Sequence, residues 1–99
     1  MEYPRNIISV CKDCSEKMYP NKGTFDVHVG DIAKLKFIDS FGTEYMWVEV
    51  LKVDKDNNKY EGRLDNDPIL VQSVGYNDNI KFQKEDILHV EWNGRQDNE

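Results

Sequence analysis

The sequence predicts an α+β domain, with an N-terminal helix packed on a small, strongly curved antiparallel β-sheet or partly open SH3-like barrel of about five strands. Three observations predict it. Ile7, Val10, Cys11, Cys14 and Met18 recur at three- and four-residue intervals, with Lys12, Asp13, Ser15, Glu16 and Lys17 between them. That is the apolar stripe of a helix. Glu44–Leu64 (EYMWVEVLKVDKDNNKYEGRL) reads as strand, tight turn, strand. Short apolar runs then follow one another, separated by turn residues, which is the pattern of a small bent sheet.

The helix is expected over residues 7–18. Asn6 serves as its N-cap, and Pro20 and Gly23 end it. Phe25, Val27 and Val29 alternate with Asp26 and His28, the period of a half-buried strand, and Gly30-Asp31 makes the turn after it. Ala33–Phe37 alternates again, and Asp39–Gly42 is a loop. In the central hairpin, Tyr45–Val53 is rich in aromatic and β-branched residues, which suit a pleated, packed surface. Asp54–Asn58 supplies the turn, and Asp65-Asn66-Asp67-Pro68 closes the return strand, because Asp and Asn bond to their own backbone. Ile69-Leu70-Val71 is a brief apolar segment. Ile80–Phe82 is a short strand, Gln83–Asp86 one helical or 3₁₀ turn, and Ile87–Trp92 the last strand. The 99 residues make a single domain, with loose ends at 1–5 and 93–99.

Composition excludes several functions. There are 19 Asp and Glu against 13 Lys and Arg, a net charge of −6. Nucleic acids and anionic membranes need a basic footprint, so neither is an expected partner. A basic protein is compatible with this charge. No apolar run reaches the ~18 residues of a membrane span. Two cysteines do not build a secreted disulfide framework, and the expected location is the cytoplasm.

Residues 33–37, 44–50, 62–68, 80–82 and 85–87, with Trp92, carry a resemblance. Their order is similar to that of the bacterial domain of unknown function 2314, the YegJ-like family, over residues 25–92. The MWVEV segment and the Gly62-x-Leu64-x-Asn66-x-Pro68 spacing are its specific parts. The chain departs from the family pattern near the end, where His89-Val90-Glu91 stands between Leu88 and Trp92. The family has no established activity, so the resemblance implies a fold rather than a reaction. In size and charge such domains are similar to bacterial toxin-immunity proteins.

No nucleophile elbow, phosphate-cradling glycine loop or Ser–His–Asp set is present, and no enzyme activity is expected. Four groups of residues remain as candidates. Cys11 and Cys14 form a C-x-x-C, which reads as two small hydrophobes on the helix, half a zinc site completed by His28 and His89, or a redox pair. The sequence favours the first, and no cofactor is expected. Asp54, Asp56 and Asn58 partly match a calcium loop, but Lys59 stands where that loop needs its glycine, so a plain turn is expected. Asp65 and Asp67 are paired carboxylates at a proline turn, the groups a carboxylate-dependent enzyme would use, but there Asp is expected for backbone reasons. Met46, Val48 and Val50 share one face of a strand, and Tyr45, Trp47 and Glu49 share the other. The first set is core. The second is either core as well or, with Trp92, a binding surface, since Trp and Tyr dominate interface hot spots. The reading is a non-catalytic protein-binding module, immunity-like in one form.

Overall fold

The computed structural model describes residues 23–91. These form five antiparallel strands: β1 (Ile32–Asp39), β2 (Gly42–Asp54), β3 (Lys59–Leu64), β4 (Asn79–Phe82) and β5 (His89–Glu91). A single 3₁₀ turn, Lys84–Asp86, lies between β4 and β5. The strands are arranged in the order β4-β3-β2-β1-β5.

The expected α+β class is corrected by this architecture. Among the described residues there is no α-helix, and the class they form is all-β. The expected helix at 7–18, Cys11, Cys14 and Trp92 lie outside the described residues, as do the ends at 1–5 and 93–99. The sheet is an open series of strands, and no ladder joins β4 to β5.

β2 organises the sheet. Its first part, Gly42–Glu49, pairs with β1, and its second part, from Val48, pairs with β3. The register with β3 shifts between Val50 and Lys52, leaving Leu51 as a bulge. A bulge bends its strand and adds twist, so one long strand serves two partners. Gly62 lies opposite Val50. A Cβ on Gly62 would stand 2.3 Å from the Glu49 carbonyl oxygen and 2.5 Å from Val48 Cγ1, and this close approach admits only glycine.

Alternation assigns one face of the sheet to the core. Ala33, Leu35 and Phe37 of β1 bury against Met46, Val48 and Val50 of β2, with Tyr60, Leu64, Ile80, Phe82 and Val90 from the other strands. Loop residues Val27, Val71, Val74 and Ile87 complete this core. Each fully buried Val, Leu, Ile, Phe or Met among them stabilises the fold by roughly 1.5–3 kcal/mol relative to exposure.

Two strand boundaries differ from expectation. Phe25–Val29 is not a strand. Val27 enters the core, but Val29 is 62% exposed, because the chain turns back at His28–Asp31. The Asp31 N–H donates to the His28 carbonyl at 3.0 Å, and the Gly30 N–H and Asp31 carbonyl then engage Val50. The last strand begins at His89 rather than Ile87, since Ile87 and Leu88 are both buried and end the 3₁₀ turn instead of alternating. Val90 pairs with Ala33, which sets the register of β5: Val90 points in, and His89 and Glu91 point out.

Candidate docking surface at the loop end of the sheet

The sequence candidates on β2 occupy the outer face. Trp47 is half-buried there. Lys34 places its ammonium 5.6 Å from the centre of the Trp47 ring, and the His89 ring stands edge-on at 6.3 Å. Phe25 also meets the His89 ring edge-on, at 5.8 Å. Tyr45 is 37% exposed and faces the Lys36 ammonium at 5.7 Å. Glu49 accepts a 2.9 Å hydrogen bond from Arg63 Nε. Each of the three is thus engaged by a neighbour on the same face, as cross-strand pairs commonly are.

The other candidates are dispersed. His28 Nδ1 lies 3.9 Å from Asp31 Oδ2, and His89 Nε2 lies 3.7 Å from Glu91. Among the described residues no group of three or more His, Cys, Asp or Glu gathers around a metal-sized point. The Asp54–Asn58 segment is a turn. Asn57 donates to Asp54, and Asn58, at φ 54°, bonds Glu85 through its amide nitrogen and the Lys84 N–H through its oxygen. Asp65 and Asp67 are exposed, and Asp65 sits 3.5 Å from Arg63.

The arrangement that sequence reasoning missed lies at one end of the sheet, where the β3–β4 loop folds against the β1–β2 turn. Glu44 occupies the core phase of β2, opposite Phe37, yet its carboxylate is turned to the loop. It accepts the N–H groups of Ile69, Leu70 and Val71 at 2.7–3.1 Å. Asp39 accepts the next two, Gln72 at 2.7 Å and Ser73 at 2.9 Å, and also that of Phe41 at 2.8 Å. Two carboxylates therefore hold five successive backbone amides. Desolvation beside the loop pushes the Asp39 carboxyl up, but the N–H groups of Gln72, Phe41 and Ser73 outweigh it and hold it at about 2. The Ile69 N–H, with those of Val71 and Leu70, lowers Glu44 against its own desolvation and the nearby charge of Asp39. Hydrogen bonds to the charged form have this effect.

The clamp presents apolar side chains to solvent. Ile69 is 87% exposed, Phe41 59% and Leu70 49%. Leu70 packs over Gly42, where a Cβ would come within 3.1 Å of it. Val71 and Val74 of the same loop turn into the core. The loop is thereby anchored on one side and apolar on the other. The sequence signals were an acidic residue on the core phase of a strand, Glu44, and an apolar run directly after Pro68.

A family model, that of an uncharacterized protein conserved in bacteria, domain of unknown function 2314, matches residues 12–97. The chain belongs to this family. No curated protein and no solved structure matches it. The match is wider than the resemblance read over 25–92. The structure gives its specific residues physical roles: in this member of the family Gly62 permits the close crossing of β3 on β2, and Asn66 accepts a hydrogen bond from the Trp47 backbone. Among the described residues no helix is long and apolar enough to cross a membrane.

Proposed function

We propose that this domain is a non-catalytic protein-binding module, and that its contact surface is the apolar tip formed by Phe41, Ile69 and Leu70. The observation that carries this reading is the exposure of three large apolar side chains, Ile69 and Leu70 on the β3–β4 loop and Phe41 on the adjoining β1–β2 turn, where Asp39 and Glu44 hold the backbone. Exposed apolar groups gathered in one place mark interaction sites. A pre-ordered loop also loses less entropy on association than a free one. An immunity-like role, masking the surface of another protein, is one form of such a module, and the cytoplasm, where cysteines stay reduced, is the compartment proposed for it.

The test is selection of peptide ligands by the full chain, followed by substitution. Ligands should be recovered whose binding weakens at least about tenfold on Ile69→Asp and on Leu70→Asp, as for hot-spot residues, with the melting temperature retained. Ligands that ignore both substitutions but are lost on Trp47→Ala would move the site to the outer sheet face. Ligands insensitive to all three would overturn both placements.

A further inference from the structure

We infer that the partner taken by this tip is a basic polypeptide, one that offers an apolar side chain flanked by lysine or arginine; the inference rests on the docking surface proposed above. Residues 38–44 and 64–80, which build this end of the sheet, contain Asp39, Glu44, Asp65, Asp67 and Asp78 and no Lys, Arg or His. Arg63, bordering the loop, is already taken by Glu49 at 2.9 Å and by Asp65 at 3.5 Å.

Among the described residues no lysine or arginine pairs with Asp39, Glu44, Asp67 or Asp78. Lysines elsewhere do find such partners, as Lys55 does with Asp26. Their separation from this end is therefore local, and the net charge of −6 does not by itself require it.

Two of these carboxylates are also held in the charged form. Asp39 and Glu44 are held ionised by the backbone amides they accept, and Asp78 accepts the Gly75 N–H at 2.8 Å. Asp67 is exposed next to Pro68 and Ile69. The result is an apolar tip with a negative rim. A neutral or acidic partner would meet uncompensated charge there, whereas a basic one would pair with the rim as its apolar side chain covers Ile69 and Leu70. Charge at the rim of an interface governs which partner is accepted and how fast it arrives.

The experiment uses the ¹⁵N-labelled full chain and three synthetic peptides of equal length, alternating Lys/Leu, Glu/Leu and Lys/Ser. The Lys/Leu peptide should shift the amide signals of Phe41, Ile69 and Leu70 and bind at least about tenfold more tightly than the Glu/Leu peptide, with an affinity that falls as salt shortens the range of the rim charges. The Lys/Ser peptide should bind more weakly than Lys/Leu, because it lacks the apolar anchor. Asp67→Lys should weaken the Lys/Leu peptide severalfold and leave the melting temperature in place. Glu/Leu binding at the same amides as tightly as Lys/Leu, or Lys/Leu binding indifferent to salt and to Asp67→Lys, would overturn the basic partner and leave the surface standing. Binding of any peptide that ignores Ile69→Asp would overturn the surface itself.

Discussion

The side-chain oxygen of Asn66 accepts the backbone N–H of Trp47, and the Asp65 N–H donates to the Trp47 carbonyl at 2.9 Å. The loop after β3 thus continues the hydrogen bonding of β2 where strand pairing has ended. The amide side chain supplies an acceptor at a position no backbone carbonyl occupies. Asn66→Ala should leave the Trp47 N–H without its partner and cost about 1–3 kcal/mol, the usual penalty for an orphaned group away from water. Asn66→Asp keeps an acceptor and should cost less. Urea unfolding of the two variants checks the order, and equal losses would remove the hydrogen bond from the explanation.

Gly62 makes a steeper prediction. The Glu49 carbonyl that a Cβ would strike is backbone and cannot rotate away. Gly62→Ala should therefore force β3 from β2 at the bulge and destabilise by about 3 kcal/mol or more, at or above the upper end of overpacking costs. A melting temperature within a few degrees of wild type would show that the strands can separate locally without loss.

These two positions also show what the sequence could and could not convey. The hairpin was legible because Met46, Val48 and Val50 alternate with Tyr45, Trp47 and Glu49 around a turn that asks for Asp and Asn. The spacing of Gly62, Asn66 and Pro68 was legible as a pattern, but its reasons are contacts with residues of β2 far along the chain. The strand expected at Phe25–Val29 failed because alternation cannot register a turn imposed from outside, here by Val50 binding Gly30 and Asp31. The exposed apolar tip was invisible for a similar reason. Ile69 and Leu70 read only as part of a brief apolar segment, and the Glu44 carboxylate that holds their N–H groups lies 25 and 26 residues away.

Trp47 separates the two faces of β2 by energy. Its ring gains from Lys34 and His89 on a half-open face, and such contacts are worth about 0.5–1.5 kcal/mol each. Phe82 is fully buried and stacks on Tyr60 at 5.6 Å. Trp47→Ala should leave a folded domain, weakened by about 1–2 kcal/mol, while Phe82→Ala should lose about 3–5 kcal/mol. Circular dichroism and thermal melts distinguish them. A Trp47→Ala chain that does not fold would assign the outer face to the core as well.

The clamp should set how the loop responds to acid. Asp39 titrates at about 2 in the folded chain against an ordinary 3.8, and Glu44 is lowered from 4.5. A carboxyl whose folded value is depressed contributes stability that is fully present above its unfolded value and lost as pH falls through the folded one. The contribution is therefore whole above about pH 5 and drains away between there and about pH 2. Hydrogen exchange at the amides of residues 69–73 should stay slow at neutral pH, after correction for the intrinsic rate, and lose protection across that window. Asp39→Asn should be less stable than wild type at pH 7. It should also lose less on acidification, because one of the two titrating groups is gone. Parallel acid profiles for the two proteins would mean that the hydrogen bonds to Asp39 do not hold the loop in solution. The apolar tip would then be no better ordered than a free loop.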